Sequence, residues 1–364
     1  MLSRLQRLKP SLMTSGIAIS PEAMEPLTDH GARPATLADY PSTSGVSLEL
    51  EDDIWVNAPI KEHNPNFVGD TPYRLEYDRG GFLLRFNGST FRARPVPVPA
   101  YHDRKASSGE PYTHYGITHT DRVRISPVEG CAFACRFCDM SFRYQYRRKP
   151  LDVLIETIRV ALGDPVLPAK HILISGGTPR EGDYPYLADV YARVAEAFSG
   201  IDVDVMVAPL PGFLRPKALY DCGIHGLSVN LELFNESVAR DLMPQKASIP
   251  QASWLRFIEE AVSVFGPGRV RSLLMLGLEP VADTVRGVEA LAERGCEPVL
   301  SPFRPSPFTP LRDRRPPCVD SQIEAYERSV GAARRHGRKL GPRCIPCQHN
   351  TLSFPDGSDY YFRY

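Results

Sequence analysis

The chain of 364 residues is 42% hydrophobic and 24% charged, so it is long enough to bury a sizeable core in one large domain with additions. Its formal net charge is +0, which argues against a general nucleic-acid-binding protein because no excess positive charge is available to neutralise phosphates. No apolar run approaches the roughly 20 residues that span a bilayer, and we therefore expect a soluble, cytoplasmic protein with no membrane partner.

The first 117 residues are rich in Pro, Gly and polar residues and carry few helical patterns. Residues 1–45 begin with a basic stretch that has no acidic residue before Glu22 and lacks the continuous apolar segment of a secretory signal. We interpret them as an irregular leader, with a transit peptide as the alternative. Residues 46–117 are predicted to form a small β-containing extension, because residues 82–99 have strand-like stretches around an Asn-Gly turn.

From residue 120 onward the pattern changes to a regular alternation of β-rich runs and amphipathic helices. The predicted strands are 122–128, 171–177, 203–209, 226–233, 270–278 and 298–303. The predicted helices between them are 151–163, 186–198, 213–223, 252–265 and 283–295, and a final helix covers 320–337. Strands that alternate with helices of these lengths favour βα units and a parallel sheet.

Six βα units are three quarters of an eight-unit barrel, so the sequence predicts an α/β fold with a partial (β/α)6 TIM-type barrel over residues 118–312. Residues 313–364 are predicted to form a helix and a cysteine-containing tail. The chemistry of such barrels lies at the C-terminal ends of the strands, which makes the residues that follow each strand the candidates for a functional site. A partial barrel has a lateral opening, and the N-terminal extension and the tail are the candidate lids.

Three cysteines follow the first barrel strand in the spacing C-x3-C-x2-C: Cys131, Cys135 and Cys138. Clustered thiols in an intracellular protein indicate metal binding or redox chemistry rather than disulfides. Structural zinc usually takes four protein ligands, whereas three thiolates suit a [4Fe–4S] cluster in which each of three irons takes one sulfur. The fourth iron is then open to a ligand that does not come from the protein.

This motif, with the aromatic Phe137 before its last cysteine and its position after strand one, resembles that of the radical SAM superfamily. The resemblance implies that S-adenosylmethionine (SAM) chelates the open iron through its amino and carboxylate groups. It also implies that an electron from the reduced cluster cleaves SAM to methionine and a 5′-deoxyadenosyl radical. The electron would come from a donor such as flavodoxin or ferredoxin.

The ends of later strands carry further candidates for SAM binding. Gly176, Gly177 and Thr178 follow strand two, where the superfamily has a glycine-rich turn that meets the methionine amino group, and glycine permits close backbone approach. Asn230 and Glu232 lie two residues apart in strand four, so we expect them on one face, where an amide and a carboxylate can bind two ribose hydroxyls. The biotin-synthase-like branch has a similar pattern there.

The last two strands extend the resemblance to that branch. Gly277 belongs to a turn similar to the branch's GLGE-type turn after strand five. The proline-rich segment 301–311 looks like the branch's adenine-site segment after strand six, which implies adenine contacts for Ser301 and Phe303. Arg304 is a candidate to bind a carboxylate of SAM or of the substrate. The resemblance covers roughly residues 120–312.

The other cysteines lie elsewhere. Cys222 and Cys296 fall at helix ends on the opposite face of the barrel and are interpreted as small buried residues. Cys318, Cys344 and Cys347 could bind an auxiliary iron–sulfur cluster or a zinc ion. Alternatively the tail caps the open side of the barrel near the substrate, with a role for Gln348, His349 and Asn350, or it is purely structural.

These observations favour a radical SAM enzyme whose 5′-deoxyadenosyl radical abstracts hydrogen from a small organic substrate. One alternative is sulfur insertion, as the biotin-synthase resemblance suggests, which would need an auxiliary cluster as sulfur donor. Another is a non-catalytic zinc or iron–sulfur protein that binds nucleic acid or senses redox state. The basic stretch 143–149 and the C-x2-C of the tail would support that alternative, although the neutral net charge argues against it.

Overall fold

The computed structural model describes residues 2–36, 44–342 and 344–355. Its strands, in chain order, are β1 (Ala18–Ile19), β2 (Val46–Leu50), β3 (Ile54–Ala58), β4 (Arg74–Asp78), β5 (Gly81–Phe86), β6 (Ser89–Pro95), β7 (Gly116–His119), β8 (Arg122–Ile125), β9 (Val128–Glu129), β10 (Arg147–Arg148), β11 (His171–Ile174), β12 (Val203–Met206), β13 (Gly226–Ser228), β14 (Val270–Leu276) and β15 (Glu297–Pro302).

The α-helices are α1 (Arg4–Ser15), α2 (Pro21–Asp29), α3 (Tyr112–Tyr115), α4 (Met140–Arg143), α5 (Leu151–Leu162), α6 (Tyr184–Ala197), α7 (Pro216–Asp221), α8 (Glu236–Leu242), α9 (Pro244–Ala247), α10 (Gln251–Phe265), α11 (Val281–Glu293), α12 (Val319–Arg335) and α13 (Ile345–Gln348). None of these described helices is long and apolar enough to cross a membrane.

A seven-stranded sheet forms the barrel, in the order β15-β14-β13-β12-β11-β8-β7. The six strands from β8 to β15 pair in parallel, and β7 joins the edge antiparallel to β8. Each parallel strand falls within one of the six predicted runs or overlaps it closely. The partial (β/α)6 barrel is therefore confirmed.

Alternation along the strands separates the core from the lumen. In β14 every second residue is fully buried, from Val270 to Leu276, and the residues between are only half-buried. The buried set packs with apolar faces of the outer helices, such as Ile258 of α10 and Val288 of α11, in one continuous core. The half-buried set, which includes Arg271 and Met275, lies on the lumen side.

The leader departs from the prediction of irregular structure. It contains α1 and α2, and α1 begins with a capping box in which Ser3 and Gln6 satisfy each other's backbone N–H groups. Leu12 and Met13 of α1 are fully buried against the rest of the chain. Burial of this apolar face stabilises the helix, and the short polar pattern of the sequence gave little sign of it.

The N-terminal strands form a second sheet in the order β1-β4-β5-β6-β2-β3. The predicted Asn-Gly turn joins β5 to β6: Asn87 and Gly88 have φ values of 45° and 72°, and Phe86 pairs with Ser89. Two successive residues with positive φ make the tight turn that matches the twist of a hairpin. The β-containing extension thus has the hairpin that its sequence indicates.

The tail bridges the edges of the two sheets. Gly341 forms a parallel bridge with Val299 of β15, and the Leu352 N–H donates to the Leu300 carbonyl at 2.8 Å. On its other side, the His349 carbonyl accepts from Asn57 N–H of β3 at 2.8 Å. The tail therefore covers the β15 edge, where an incomplete barrel leaves unpaired backbone groups.

Candidate functional site

The three clustered cysteines lie in a loop that leaves the barrel after β8. The antiparallel β9–β10 ribbon closes the base of this loop. Cys131 Sγ accepts hydrogen bonds from the backbone N–H groups of Phe133 and Thr178, at 3.3 and 3.1 Å. The loop therefore directs two backbone N–H donors at the sulfur of the first cysteine of the motif.

Cys135 and Cys138 share the environment of Cys131. Burial raises the pKa of both thiols to about 12, and the charges of the other motif cysteines act in the same direction. Because such coupling falls with distance, it places the three thiols in one neighbourhood. Among the residues that the structure describes, no three His, Cys, Asp or Glu side chains are gathered tightly enough to hold a single metal ion.

The predicted glycine turn packs directly on the cysteine loop. A Cβ at Gly177 would lie 1.7 Å from the Gly130 carbonyl oxygen and 2.8 Å from Cys131 Cα, so only glycine fits there. Ala132 N–H donates to the Thr178 carbonyl at 2.9 Å. Two loops that are more than forty residues apart in sequence are thereby held backbone to backbone beside Cys131.

The prediction for strand four is corrected in its geometry. Regular pairing of β13 ends at Ser228, and Glu232 has φ of +68°, so Asn230 and Glu232 do not share a face by simple strand alternation. Such a backbone conformation is unfavourable for a residue with a side chain and is typical of functional sites. It directs the Glu232 carboxylate to Lys246 Nζ, 3.2 Å away.

Asn230 is held by its neighbours. Its side-chain oxygen accepts from Ser228 Oγ at 2.9 Å and from Leu273 N–H at 3.2 Å, and its amide lies 3.5 Å from Met206 Sδ. The amide donor therefore has only a weak sulfur acceptor. Of the Asn230 side chain, the amide is the part that remains suited to bind a hydroxyl.

An apolar cluster connects the cysteine loop to the ends of the last two strands. Phe303, which is only 2% exposed, packs in this cluster with Leu278, and Cys135 and Phe137 pack against it. Leu278 follows Gly277, whose φ is +91°. A Cβ at Gly277 would lie 2.8 Å from the Pro317 ring, so this glycine is required for the turn to pack against the segment before α12.

Two residues predicted from the segment after β15 have other partners. Arg304 donates through both terminal nitrogens to Asn57, to the side-chain oxygen at 2.7 Å and to the backbone carbonyl. Burial lowers the pKa of Arg304 to about 10. The carboxylate-binding role predicted for it is wrong in this structure, because the guanidinium joins the barrel to β3. Ser301 Oγ donates to the Asn350 carbonyl of the tail at 3.3 Å.

The predicted second metal set is not brought together. Cys318 is exposed at the start of α12, directly after Pro317, which packs on the Gly277 turn at the C-terminal end of β14. Cys344 instead lies 3.4 Å from the Nε2 atom of His171, the first residue of β11. The three cysteines are thus at opposite ends of the strands. Cys296 is fully buried as predicted, and Cys222 is half-buried.

The polar residues of the tail face the N-terminal sheet. His349 is fully buried, with its ring 5.3 Å from the Trp55 ring and hydrogen-bonded to His119. Gln348 is also fully buried, whereas Asn350 is half-buried. These contacts support a structural role for this segment.

Two arginines of the basic stretch before α5 are paired with carboxylates. Arg147 forms ion pairs with Glu129 and Glu110, and Arg148 pairs with Asp183. An arginine that already has an acidic partner is a poor ligand for a phosphate backbone. The stretch therefore gives no support to a nucleic-acid-binding surface.

The geometry agrees with the comparison to protein families. Residues 125–301, from the end of β8 to β15, match the family model described as the radical SAM superfamily. Over this segment the chain is similar to the radical SAM superfamily. The matched segment includes the cysteine loop, the Gly176-Gly177-Thr178 turn and the Glu232 position.

Individual proteins that are similar to this chain match it only in part. A bacteriochlorophyllide c C-7(1)-hydroxylase from Chlorobaculum limnaeum is 27% identical over 135 residues, which are 36% of this chain and 34% of that protein. A radical SAM methyltransferase structure from Sphaerobacter thermophilus has a TM-score of 0.47 at 17% identity and covers 79% of this chain and 82% of that one. The FeFe-hydrogenase maturase HydG from Carboxydothermus hydrogenoformans has a TM-score of 0.47 at 16% identity, over 62% and 55% of the two chains. The chain thus spans about a third of the curated relative.

The structure adds a wall of the candidate site that sequence reasoning missed. The segment α8–α9 covers the cysteine loop: Arg136 N–H donates to the Leu242 carbonyl at 2.7 Å, and Ala134 N–H donates to Gln245 Oε1 at 3.3 Å. Lys246 of α9 pairs with Glu232, and its charge lowers the pKa of the Cys135 thiol against the effect of burial. No periodic or motif signal in the sequence marks this lysine.

Proposed function

We propose that this chain binds a [4Fe–4S] cluster through Cys131, Cys135 and Cys138, binds SAM at the open iron, and uses it to abstract hydrogen from a small organic substrate. The observation that carries the proposal is the packing of the Gly177 turn against Cys131, where any Cβ would overlap the Gly130 carbonyl. This close approach leaves backbone groups of the turn beside the first thiol. When bound, the reduced cluster and SAM would supply the 5′-deoxyadenosyl radical.

The donor set of the loop fits such a cluster. Each thiolate of a [4Fe–4S] ligand set binds a different iron, so the three sulfurs need to share a neighbourhood rather than converge on one point. The mutual electrostatic coupling of Cys131, Cys135 and Cys138 is consistent with that arrangement. Burial raises the pKa of Cys135 and Cys138 to about 12, so cluster binding would release the protons of these two thiols.

The chain's own residues would orient SAM. Glu232 offers a carboxylate that can accept from the ribose hydroxyls, and the ion pair with Lys246 holds it in place beside Cys135. Phe137 and Phe303 belong to one apolar cluster at the same end of the barrel and would pack against the adenine. An apolar wall of this kind would exclude water from the reactive part of the site.

The position of the remaining cysteines favours a reaction that needs one cluster. Sulfur insertion would require an auxiliary cluster, and Cys318 is separated from Cys344 and Cys347 by the length of the barrel strands. The substrate is therefore proposed to undergo hydrogen abstraction without sulfur transfer. A flavodoxin or ferredoxin is proposed as the electron donor.

The experiment is anaerobic reconstitution with iron and sulfide, followed by dithionite and SAM. The proposal expects about four irons per chain and release of 5′-deoxyadenosine and methionine. Cys135→Ala should lose both the cluster absorbance and the release. Cys222→Ala, which removes a half-buried thiol at the end of α7, is the matched control and should keep both. Turnover retained in Cys135→Ala would contradict the proposal, and about eight irons per chain would favour sulfur insertion.

A further inference from the structure

The C-x2-C pair of the tail lies among charged residues of the barrel. Arg122 donates a hydrogen bond to Cys347 Sγ, and the same nitrogen lies 3.7 Å from Cys344 Sγ. Cys344 Sγ also contacts His171 Nε2 at 3.4 Å. Arg271 acts electrostatically on both thiols.

These contacts place the pair in the floor of the lumen. Arg122 and His171 are the first residues of β8 and β11, and Arg271 is the second residue of β14. In the sheet order, β14 is separated from β11 by two other strands. Side chains from such distant strands meet one pair of sulfurs only across the inside of a curved sheet, at the end opposite the Cys131 loop.

The two cysteine residues differ in solvent exposure. Cys344 is 7% exposed at the start of α13, whereas Cys347, three residues later, is half-buried. The two thiols hydrogen-bond to each other. A partly exposed cysteine beside a buried one is the arrangement of an attacking and a resolving cysteine.

The charges around the pair favour a thiolate at Cys347. The hydrogen bond from Cys344 lowers the pKa of Cys347 well below its ordinary value, and the positive charges of Arg122 and Arg271 act in the same direction. Burial raises the pKa of Cys344.

Other ionisable groups near the pair do not remove this positive field. Asp204 pairs with Arg271 at 2.8 Å, and a hydrogen bond links it to His225. Burial lowers the pKa of His171, so this ring is neutral near pH 7. Burial raises the pKa of the Asp121 carboxyl to about 6, and the nearby negative charge of Cys347 acts in the same direction.

The same contacts argue against a metal ion at this position. A zinc ion would have to lie between the two sulfurs and His171, where the Arg122 guanidinium reaches both sulfurs. Arg122 and Arg271 would both repel a cation there. The positively charged side chains around the pair suit a thiolate anion rather than a bound metal cation.

We propose that Cys344 and Cys347 are a reversible dithiol–disulfide pair in the floor of the barrel, in which Cys347 is the attacking thiolate and Cys344 the resolving thiol. The co-reactant is a low-molecular-weight disulfide such as oxidised glutathione. The Cys347 thiolate attacks one of its sulfurs, forming a mixed disulfide and releasing one glutathione thiolate. Cys344 then loses its proton to solvent and attacks the Cys347 sulfur, which releases the second glutathione thiolate. The pair is oxidised by two electrons and glutathione disulfide is reduced by two.

Closure of the disulfide changes the charge of the floor. It removes the negative charge that faces Arg122 and Arg271, and Asp204 then remains the carboxylate paired with Arg271. The floor of the lumen becomes more positive when the pair is oxidised. Oxidation would thereby alter the electrostatic environment beneath the proposed substrate site, although the proposal does not depend on that function.

The experiment equilibrates the anaerobic holoprotein with a series of reduced and oxidised glutathione mixtures, traps thiols with N-ethylmaleimide after an acid quench, and digests with trypsin. Trypsin cleaves after Arg343, so one peptide that begins at Cys344 contains both thiols. As the mixture becomes more oxidising, we expect this peptide to change from the doubly alkylated form to the disulfide form. The disulfide form carries no alkyl group and is two hydrogen atoms lighter than the reduced, unalkylated peptide. Cys222, a single half-buried thiol, is the control and should stay alkylated or carry only glutathione.

Two further measurements complete the test. Cys344→Ser should accumulate glutathione on Cys347, whereas Cys347→Ser should leave Cys344 unmodified. In the unmutated holoprotein at pH 6, iodoacetamide should modify Cys347 about ten-fold faster than Cys222, a result that requires no variant to fold. A peptide that stays doubly alkylated in every mixture would overturn the proposal. So would a zinc ion, or iron beyond the first cluster, that is lost in Cys344→Ser.

Discussion

Gly177 shows how a single residue determines the distance between two loops. Its α-carbon lies so close to the Gly130 carbonyl that a methyl group would overlap the oxygen, and the neighbouring Thr178 N–H donates to Cys131 Sγ. The same contact could not be read from a C-x3-C motif alone. The two loops meet because β11 pairs in parallel with β8.

We predict that Gly177→Ala separates these loops and reduces cluster binding. The added methyl group should cost about 1–3 kcal/mol of stability as overpacking and lower the iron content after reconstitution. Gly182→Ala is the matched control, because a Cβ at Gly182 meets nothing within 4 Å. Iron per chain and thermal melting check the result, and an unchanged iron content in Gly177→Ala would contradict it.

Asp121 is a second residue with a measurable consequence. Neither of its carboxylate oxygens has a hydrogen-bond partner among the described residues, and burial raises its pKa to about 6 from 3.8. Between these two pH values the folded state binds the proton more tightly than the unfolded state. The free energy of unfolding contributed by this group therefore falls as pH rises from about 4 to 6.

We predict that Asp121→Asn stabilises the protein at pH 8 by at most about 3 kcal/mol, since one pKa unit corresponds to 1.36 kcal/mol. The gain should shrink as pH falls below 6 and vanish toward pH 3, below the pKa of Asp121 in both states. Thermal melting across this range measures it, with Asp189→Asn, an exposed carboxylate on α6, as the control. A gain that is independent of pH would show that Asp121 is not the titrating group.

At the level of secondary-structure elements, the sequence predicted the strands and helices whose apolar residues recur at a regular period. The six parallel strands and their helices follow from alternating apolar patterns, and the hairpin turn follows from Asn87-Gly88. The sequence did not predict where β13 ends, because the local pattern suggested a regular strand through Glu232. Its positive φ depends on bonds from Glu232 to Leu273 and Met275 of β14, which are long-range contacts.

We predict that Glu232→Gln weakens SAM binding to the reconstituted protein. Loss of a charged acceptor for the ribose should cost about 1.5–3 kcal/mol, which raises the Kd of SAM about ten-fold or more. Anaerobic calorimetry measures the change. Glu236→Gln, an exposed residue at the start of α8, is the control and should bind SAM normally. Equal affinity in the two variants would remove Glu232 from the proposed site.

Over the whole molecule, the N-terminal sheet, the tail and the barrel are joined at Asn57. This buried residue of β3 accepts from Arg304 and donates its backbone N–H to the tail at His349. The sequence predicted Arg304 as a ligand-binding residue because an arginine after a barrel strand is a good carboxylate binder. Its actual partner lies 247 residues away, and no local pattern connects the two.

We predict that Asn57→Leu destabilises the protein by about 3 kcal/mol, because it leaves a buried guanidinium without its side-chain acceptor. Urea unfolding measures the loss. Adding Arg304→Met should recover much of it, since the unpaired charge is then removed. If the double variant were as unstable as the sum of the two single variants, Asn57 and Arg304 would not act as a pair.

The central claim is that the thiolates of Cys131, Cys135 and Cys138 leave one iron open for SAM. Electron paramagnetic resonance of the dithionite-reduced protein, recorded before and after SAM is added, tests it most directly. We expect a [4Fe–4S] signal whose g values shift on addition of SAM, with a shift that requires more SAM in Glu232→Gln. A cluster signal that SAM leaves unchanged at saturating concentration would show that SAM does not bind the open iron.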